Sequence, residues 1–405
     1  MSFSRFFLEG RWALAAVLLL LAVAPILAQQ MLDPANPETP KLMRQIDNLL
    51  ESNKPDTLSC DLREIDPWLN FAFRWHAGYR VEFPLGQFPP EPSGVRVVFR
   101  VKPVSGDGGY YFWQDFNIPA GARAPRQYGR VNGGYFLGEG NYEVAWMMLD
   151  GNGRSCRKRW DVKLALNGEQ RRTAHFLPPK TAAPIVLTWE GAAGSTVRPY
   201  RIAVILHVSP IFPRSTRITA VDESFLLTML TSLLEETPFR ETSVKAINLN
   251  QQREIFSTTE LDPFSFENLM ESMRKLQLGA IDIDQYSNPD GGAELLARLV
   301  NDEVAAEEPP DAIVFIGPNN RHTRKFPSGL IESTSGKKPL FFYLHLDYYA
   351  RRFPWSDTIQ RLTKSQHGKT FTIRRPEQLA RAIKKMREML DDANPQRELT
   401  RARSN

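Results

Sequence analysis

The sequence predicts a multidomain chain, an N-terminal antiparallel β-sandwich followed by an α/β domain with a doubly wound, mostly parallel sheet. Three observations carry this. Between about 60 and 180 the apolar residues recur with period two and no helical pattern intervenes. From about 200 onward, apolar strands alternate with amphipathic helices. A stretch rich in proline and small residues, "LPPKTAAPIVLTWEGAAGSTVRP", separates the two patterns. The length of 405 residues suits two or three domains, and an apolar fraction of 42% can fill ordinary cores.

The chain starts with two arginines, Arg5 and Arg11, ahead of the apolar run "WALAAVLLLLAVAPILA", Trp12 to Ala28. Ala28 before Gln29-Gln30 matches a signal-peptide cleavage site, so 1–28 is read as a signal peptide. The run is also near the lower limit for a bilayer span, so an uncleaved segment would serve as an anchor. Either way the remainder is exported, to the periplasm or the exterior. No later segment is apolar for long enough to span a membrane. Residues 29–58 are polar and proline-rich around one short amphipathic helix, and read as a spacer.

The sandwich is placed at 59–180 and resembles the immunoglobulin-like kind. Its strands are "NFAFRWHAGYRVEFPLGQF", "GVRVVFRVKPV", "YYFWQDFNIP", "YEVAWMMLD" and "CRKRWDVKLAL", rich in aromatic and β-branched residues. Asp150-Gly-Asn-Gly-Arg154 turns the last two into a hairpin. The two cysteines, Cys60 and Cys156, suggest a disulfide in an exported chain, joining the start of this domain to its late hairpin. Trp68, Trp75, Trp113, Trp146 and Trp160 are read as core rather than as a platform for sugars.

After a linker at 181–199, the α/β domain spans 200–392. Arg201 to Leu206 is a buried strand. The helix near Asp222 repeats Phe225, Leu226, Met229, Leu230, Leu233 and Leu234 on one face. "SVKAINL" and "REIFST" read as strands. "FSFENLMESMRKL" reads as a helix capped by Ser265. "DGGAELLARLVNDEV" is a third helix, "DAIVFIG", "PLFFYLHL" and "TFTI" are strands, and "RPEQLARAIKKMREML" is a closing helix with Pro376 near its start. Residues 393–405 are read as a disordered tail.

This order, with "RIAVILHVSPI", "GGAELL" and "DAIVFIGP", resembles the von Willebrand factor A-type domain, in the layout of VWFA-related exported bacterial proteins. The resemblance covers 200–392. It implies a metal site in which Asp-x-Ser-x-Ser after the first strand, with a later Thr and Asp, holds Mg²⁺ through oxygen ligands. Here those positions carry His207, Ser209 and Ile211, then Ala293, then Gly317 or Pro318. One neutral hydroxyl remains, so the family's metal site is expected to be absent. A second cluster, His207, Asp282, Asp284, Asp290, His345 and Asp347, lies near predicted strand ends. Its spacings lack a paired ligand motif, and these residues are read as helix caps and hydrogen-bonded edge groups.

Other chemistries lack their motifs. No G-x-S-x-G elbow is present, and His207 with Ser209 reads as a strand terminus rather than a dyad. "SGKKP" and "HGKTF" lack the first glycine of a P-loop. The net charge of +5 is spread along the chain without a basic arm, which argues against nucleic-acid binding. The expectation is a non-enzymatic envelope protein that binds an unidentified protein partner, with no cofactor and no bound metal. The competing expectation is a glycan binder or a metal-dependent hydrolase using the acid/His cluster.

Overall fold

The computed structural model describes residues 29–393, apart from 34, 107, 120–126, 174–176, 186–188, 190–199, 213–214, 238, 280–282, 284–286, 320–325, 328, 333–337 and 350–356. The segment read as a signal peptide, 1–28, most of the 181–199 linker, the tail beyond Ala393, Asp282 and Asp284 lie outside the described residues. The chain forms two compact units. The first takes residues up to Trp68, Trp75–Leu166 and Phe176–Ile185. The second takes Leu69–Arg74, Asn167–His175 and the chain from Val186.

In the first unit two sheets face each other. One has the order β1 (Gln30–Met31), β5 (Tyr110–Ile118), β4 (Ser93–Pro103), β7 (Gly140–Asp150), β8 (Ser155–Leu164). The other runs β2 (Asp61–Leu69), β3 (Trp75–Pro84), β6 (Tyr128–Leu137), β9 (Ala182–Pro184). Alternation turns Tyr79, Val81 and Phe83 of one sheet, and Val97, Phe99, Val144 and Trp146 of the other, into a single core. Trp146 is fully buried, and Trp75 and Trp160 pack against the same core. Cys60 and Cys156 are disulfide-bonded, with 6.3 Å between their Cα atoms. Asp150 Oδ1 accepts from the Asn152 and Arg154 amides to close the β7–β8 turn.

Residues 29–58 differ from a spacer. β1 adds to the edge of the five-stranded sheet through β5. Helix α1 (Thr39–Leu50) lays Ile46 and Leu50 on its outer face, against Val98, Tyr111, Ala145 and Met147. The sequence does not read as a strand at β6, because Gly129, Gly133 and Gly134 weaken its strand signal. Those glycines are needed for close approach: a Cβ at Gly133 would sit 2.3 Å from the Tyr79 ring, and one at Gly134 would sit 2.3 Å from His76 Nε2.

The second unit is built on a six-stranded mixed sheet, in the order β12 (Arg253–Thr258), β11 (Phe239–Asn248), β10 (Tyr200–His207), β13 (Ala312–Pro318), β14 (Leu340–Leu346), β15 (Lys369–Ile373). All neighbours are parallel except β11 and β12. Numbered within this unit the order is 3-2-1-4-5-6, a doubly wound sheet with an antiparallel edge. Helices α5 (Gly291–Val304) and α6 (Thr358–Ser365) pack on the face of Ile205, Ile313, Phe315 and Tyr343. Helices α3 (Ala220–Glu236) and α7 (Pro376–Ala393) contact the sheet at β13 to β15 and each other. α3 is buried nearly all round, as a helix enclosed by protein must be. Helix α4 (Pro263–Arg274) is capped by Asp262, whose side chain accepts from the Ser265 amide, and not by Ser265 as the sequence suggested. Pro263 at the first turn fixes that register.

Candidate functional site

In an open doubly wound sheet the strand order reverses between the first and fourth strands, and ligands bind beyond the carboxyl ends there. In this chain the reversal falls between β10 and β13. Leu206 pairs with Ile316, so His207 stands beside Gly317, and Gly317 pairs with His345. The period of two puts His207, Gly317 and His345 on the same face as Ile205, Phe315 and Tyr343. A glycine is required in the middle of this row, because a Cβ at 317 would meet the His207 carbonyl oxygen at 2.7 Å.

His207 is fully buried and neither ring nitrogen has a hydrogen-bond partner. Burial drives its pKa down to about 4, offset only in part by the Ile247 backbone. His345 is half-buried, its Nε2 is also unpartnered, and its pKa is lowered by burial, with Asp347 opposing and Arg374 adding to the shift. The Tyr343 ring lies 5.3 Å from the His345 ring, tilted against it, and its hydroxyl donates to Asp357 Oδ2 at 2.6 Å. Burial, then the Asp357 charge, holds that phenol well above its ordinary pKa. Asp357 also caps α6 by accepting from the Ile359 amide.

The other residues around this edge are held by structural bonds or by burial. The Ile211 amide donates to Asp222 Oδ1 at 2.8 Å, and Asp222 Oδ2 accepts from both the Thr219 amide and its hydroxyl. Thr219-x-x-Asp222 is thus a capping box that ties the loop after β10 to α3. The motif is visible in the sequence as "TAVD" and was the available signal for Asp222. Asn248, fully buried, donates to the Val208 carbonyl and fastens the ends of β10 and β11. Asp347 accepts from Arg374 Nε at 2.9 Å and Nη2 at 2.8 Å. Ala293 is buried in the first turn of α5, its amide donating to the Asp290 carbonyl. Ser209 is buried near the end of β10.

This set does not fit Mg²⁺. The ion needs several hard oxygen donors. Position 317 cannot carry a side chain without displacing His207, Ile211 is apolar, and both Asp222 oxygens are engaged. Among the described residues no three His, Cys, Asp or Glu side chains are grouped to hold a metal.

The same edge exposes aromatic surface. Phe212, in the loop after β10, lies 4.3 Å from Tyr349, and Tyr349 lies 5.0 Å from Tyr348, both just after β14. Tyr348 packs in turn on Phe225 of α3 at 4.7 Å. Phe212, Tyr348 and Tyr349 remain about 40% exposed, and Val221, on the first turn of α3, is 52% exposed.

No family model and no curated protein matches the chain. Among solved structures it is similar to a β-glucosidase from Listeria innocua in complex with glucose, at 9% identity over 27% of this chain and 17% of that one, with a TM-score of 0.17. It is also similar to Bacteroides uniformis β-glucuronidase 2, at 8% identity over 77% of this chain and 39% of that one, with a TM-score of 0.19. A third is the exo-chitosanase CsxA from Amycolatopsis orientalis, at 12% identity over 64% and 28%, with a TM-score of 0.17. The chain spans well under half the length of each, and at these scores the likenesses carry no argument.

Proposed function

We propose that the chain is an exported envelope protein whose second unit is a divergent von Willebrand factor A-type domain that binds a protein partner without Mg²⁺. Export is supported by the apolar segment ending at Ala28 and by the Cys60–Cys156 disulfide. No helix among the described residues is long and apolar enough to cross a membrane. The A-type reading is supported by the 3-2-1-4-5-6 sheet with helices on both faces. The observation that carries the partner reading is the exposed aromatic set Phe212, Tyr348 and Tyr349, with exposed Val221 beside it, at the carboxyl edge of that sheet. Exposed rings clustered around a ligand-binding edge mark interaction surfaces. The sandwich is the spacer or docking module in this reading, because its tryptophans are buried or half-buried rather than displayed.

The test is capture from envelope fractions with the wild-type chain and a Phe212→Ser/Tyr349→Ser variant, each with and without added Mg²⁺. The expected result is one partner, captured independently of Mg²⁺ and reduced at least roughly tenfold by the variant, since hot-spot aromatics contribute about 2 kcal/mol or more each. Equal capture by the variant, or capture that requires Mg²⁺, would overturn it.

A further inference from the structure

The six-stranded sheet ends at β15, and part of that edge is open. β15 pairs with β14 alone, and the Asp347 amide donates to the Ile373 carbonyl at 2.9 Å. In a parallel ladder this turns the amides and carbonyls of Lys369, Phe371 and Ile373 towards β14, and those of Thr370 and Thr372 outward. The two ends of the outward row are closed within the chain. The Gly368 amide donates to the Thr363 carbonyl of α6 at 2.8 Å, and the Arg374 amide donates to Gln378 Oε1 of α7 at 2.7 Å. Among the described residues nothing pairs with the outward groups of Thr370 and Thr372. The opposite edge of the sheet differs. β12 carries Arg253 and Glu254 and a register irregularity where it passes Ala246 and Ile247, devices that discourage further pairing. β15 has no proline and no such irregularity.

The open stretch is complementary to itself. It offers two donors and two acceptors, placed evenly about Phe371. A second β15 laid antiparallel across a two-fold axis at Phe371 puts Thr370 opposite Thr372 of the second copy, and Thr372 opposite its Thr370. Each of these pairs exchanges two hydrogen bonds, so no outward group is left over. Phe371, half-buried, then meets its own copy as a cross-strand aromatic pair. Lys369 lies over the Phe371 ring at 5.3 Å, and in this register it falls opposite Ile373 of the second copy rather than a like charge. We propose that β15 pairs with β15 of a second copy of this chain, joining two six-stranded sheets edge to edge. A second copy is the occupant because the match of donor to acceptor on both sides of Phe371 follows from this strand's own spacing. The pairing does not depend on whether the aromatic set after β10 and β14 binds a protein.

The purified full chain, with its disulfide intact, is followed by sedimentation over a range of concentrations. The expected result is a reversible monomer–dimer equilibrium that Thr372→Pro weakens at least tenfold. Proline there removes an outward amide that the fold itself does not use, so the circular dichroism spectrum is kept. A second measurement reads the register. Phe371→Cys brings two thiols across the axis with Cα atoms about 4.5 Å apart, within reach of a disulfide. Lys369→Cys leaves its two copies about 13 Å apart along the strands. The chain's two native cysteines are bonded to each other and do not compete. Mild oxidation is expected to link Phe371→Cys into covalent dimers and to leave Lys369→Cys unlinked. A wild-type monomer at every concentration, which would leave the edge to solvent or to an unrelated strand, overturns the proposal. So does a dimer that Thr372→Pro leaves unchanged, or equal linking at 369 and 371.

Discussion

His207 is buried uncharged, and this makes the second unit sensitive to acid. Its folded pKa of about 4 lies below the ordinary histidine value of 6.5. Between those two values the unfolded chain binds a proton that the folded chain refuses. Stability is therefore complete above about pH 6.5 and falls as pH drops towards 4, by on the order of 3 kcal/mol from this one group. His76 in the first unit, also lowered to about 4 by burial, adds a separate loss over the same window. Replacing an unpartnered buried polar group by an apolar one of similar size is nearly neutral at neutral pH. His207→Leu is thus expected to match the wild type near pH 7 and to lose less stability at pH 5, in urea unfolding followed in a chelating buffer. Parallel losses in the two proteins would mean that His207 takes up its proton while folded. Neither His207's isolation nor its partnership with Gly317 can be read from "RIAVILHVSPIFP", which places the histidine at a strand end and nothing more. Register across three strands is a long-range property, and it alone brings residues 207, 317 and 345 into one row.

At the scale of elements, α1 shows how a segment that looks like a linker becomes part of a sheet's cover. Its amphipathic spacing is plain in "PKLMRQIDNLL", but its landing place is not. The outer face of β4 carries Arg100, which in "VRVVFRV" reads as a solvent-facing residue of an alternating strand. In the fold the Arg100 side chain is 8% exposed and bonds Asp47 at 2.6 Å and Glu51 at 3.1 Å, while Tyr111 donates to Asp47 at 2.8 Å. Desolvation acts to lower the guanidinium pKa, but the Glu51 and Asp47 bonds outweigh it and keep the pKa raised. Removing Asp47 leaves most of a buried charge uncompensated. The full penalty for breaking a buried pair is about 3–5 kcal/mol, and the 30% exposure of Asp47 reduces it. Asp47→Ala is expected to cost about 2 kcal/mol and to expose the α1 amides to hydrogen exchange, whereas Arg100→Met costs much less. Equal exchange at α1 in wild type and Asp47→Ala would show that Ile46 and Leu50 hold the helix unaided. Two further features escape the sequence reading for related reasons. β6 is masked by glycines chosen for Tyr79 and His76, and the antiparallel course of β12 is set by its partner rather than by its own residues.

At the scale of the molecule, two patterns are legible because period two and period 3.6 barely mix along the chain, while the second compact unit also takes Leu69–Arg74 and Asn167–His175 from within the first pattern. What crosses sequence distance was legible only where chemistry marks it. The disulfide is the clearest case: two cysteines, 96 residues apart, bonded as expected. It joins Cys60, just before β2, to Cys156 on β8, so it fastens one sheet of the sandwich to the other. Closing so long a loop restricts the unfolded chain more than the folded one, by about 4.7 kcal/mol on the chain-entropy argument. Most of that effect belongs to the first unit, since both cysteines and nearly all the enclosed residues lie in it. Cys60→Ser/Cys156→Ser is therefore expected to lower protection from hydrogen exchange most at β2 and β8, which the bridge joins, and at β7, which pairs with β8. The amides of α3 and β13 in the second unit should change least. If protection falls equally in both units, the bridge stabilises the chain through something other than closure of this loop. If it falls in neither, the unfolded sandwich already holds residues 60 and 156 together without the bond.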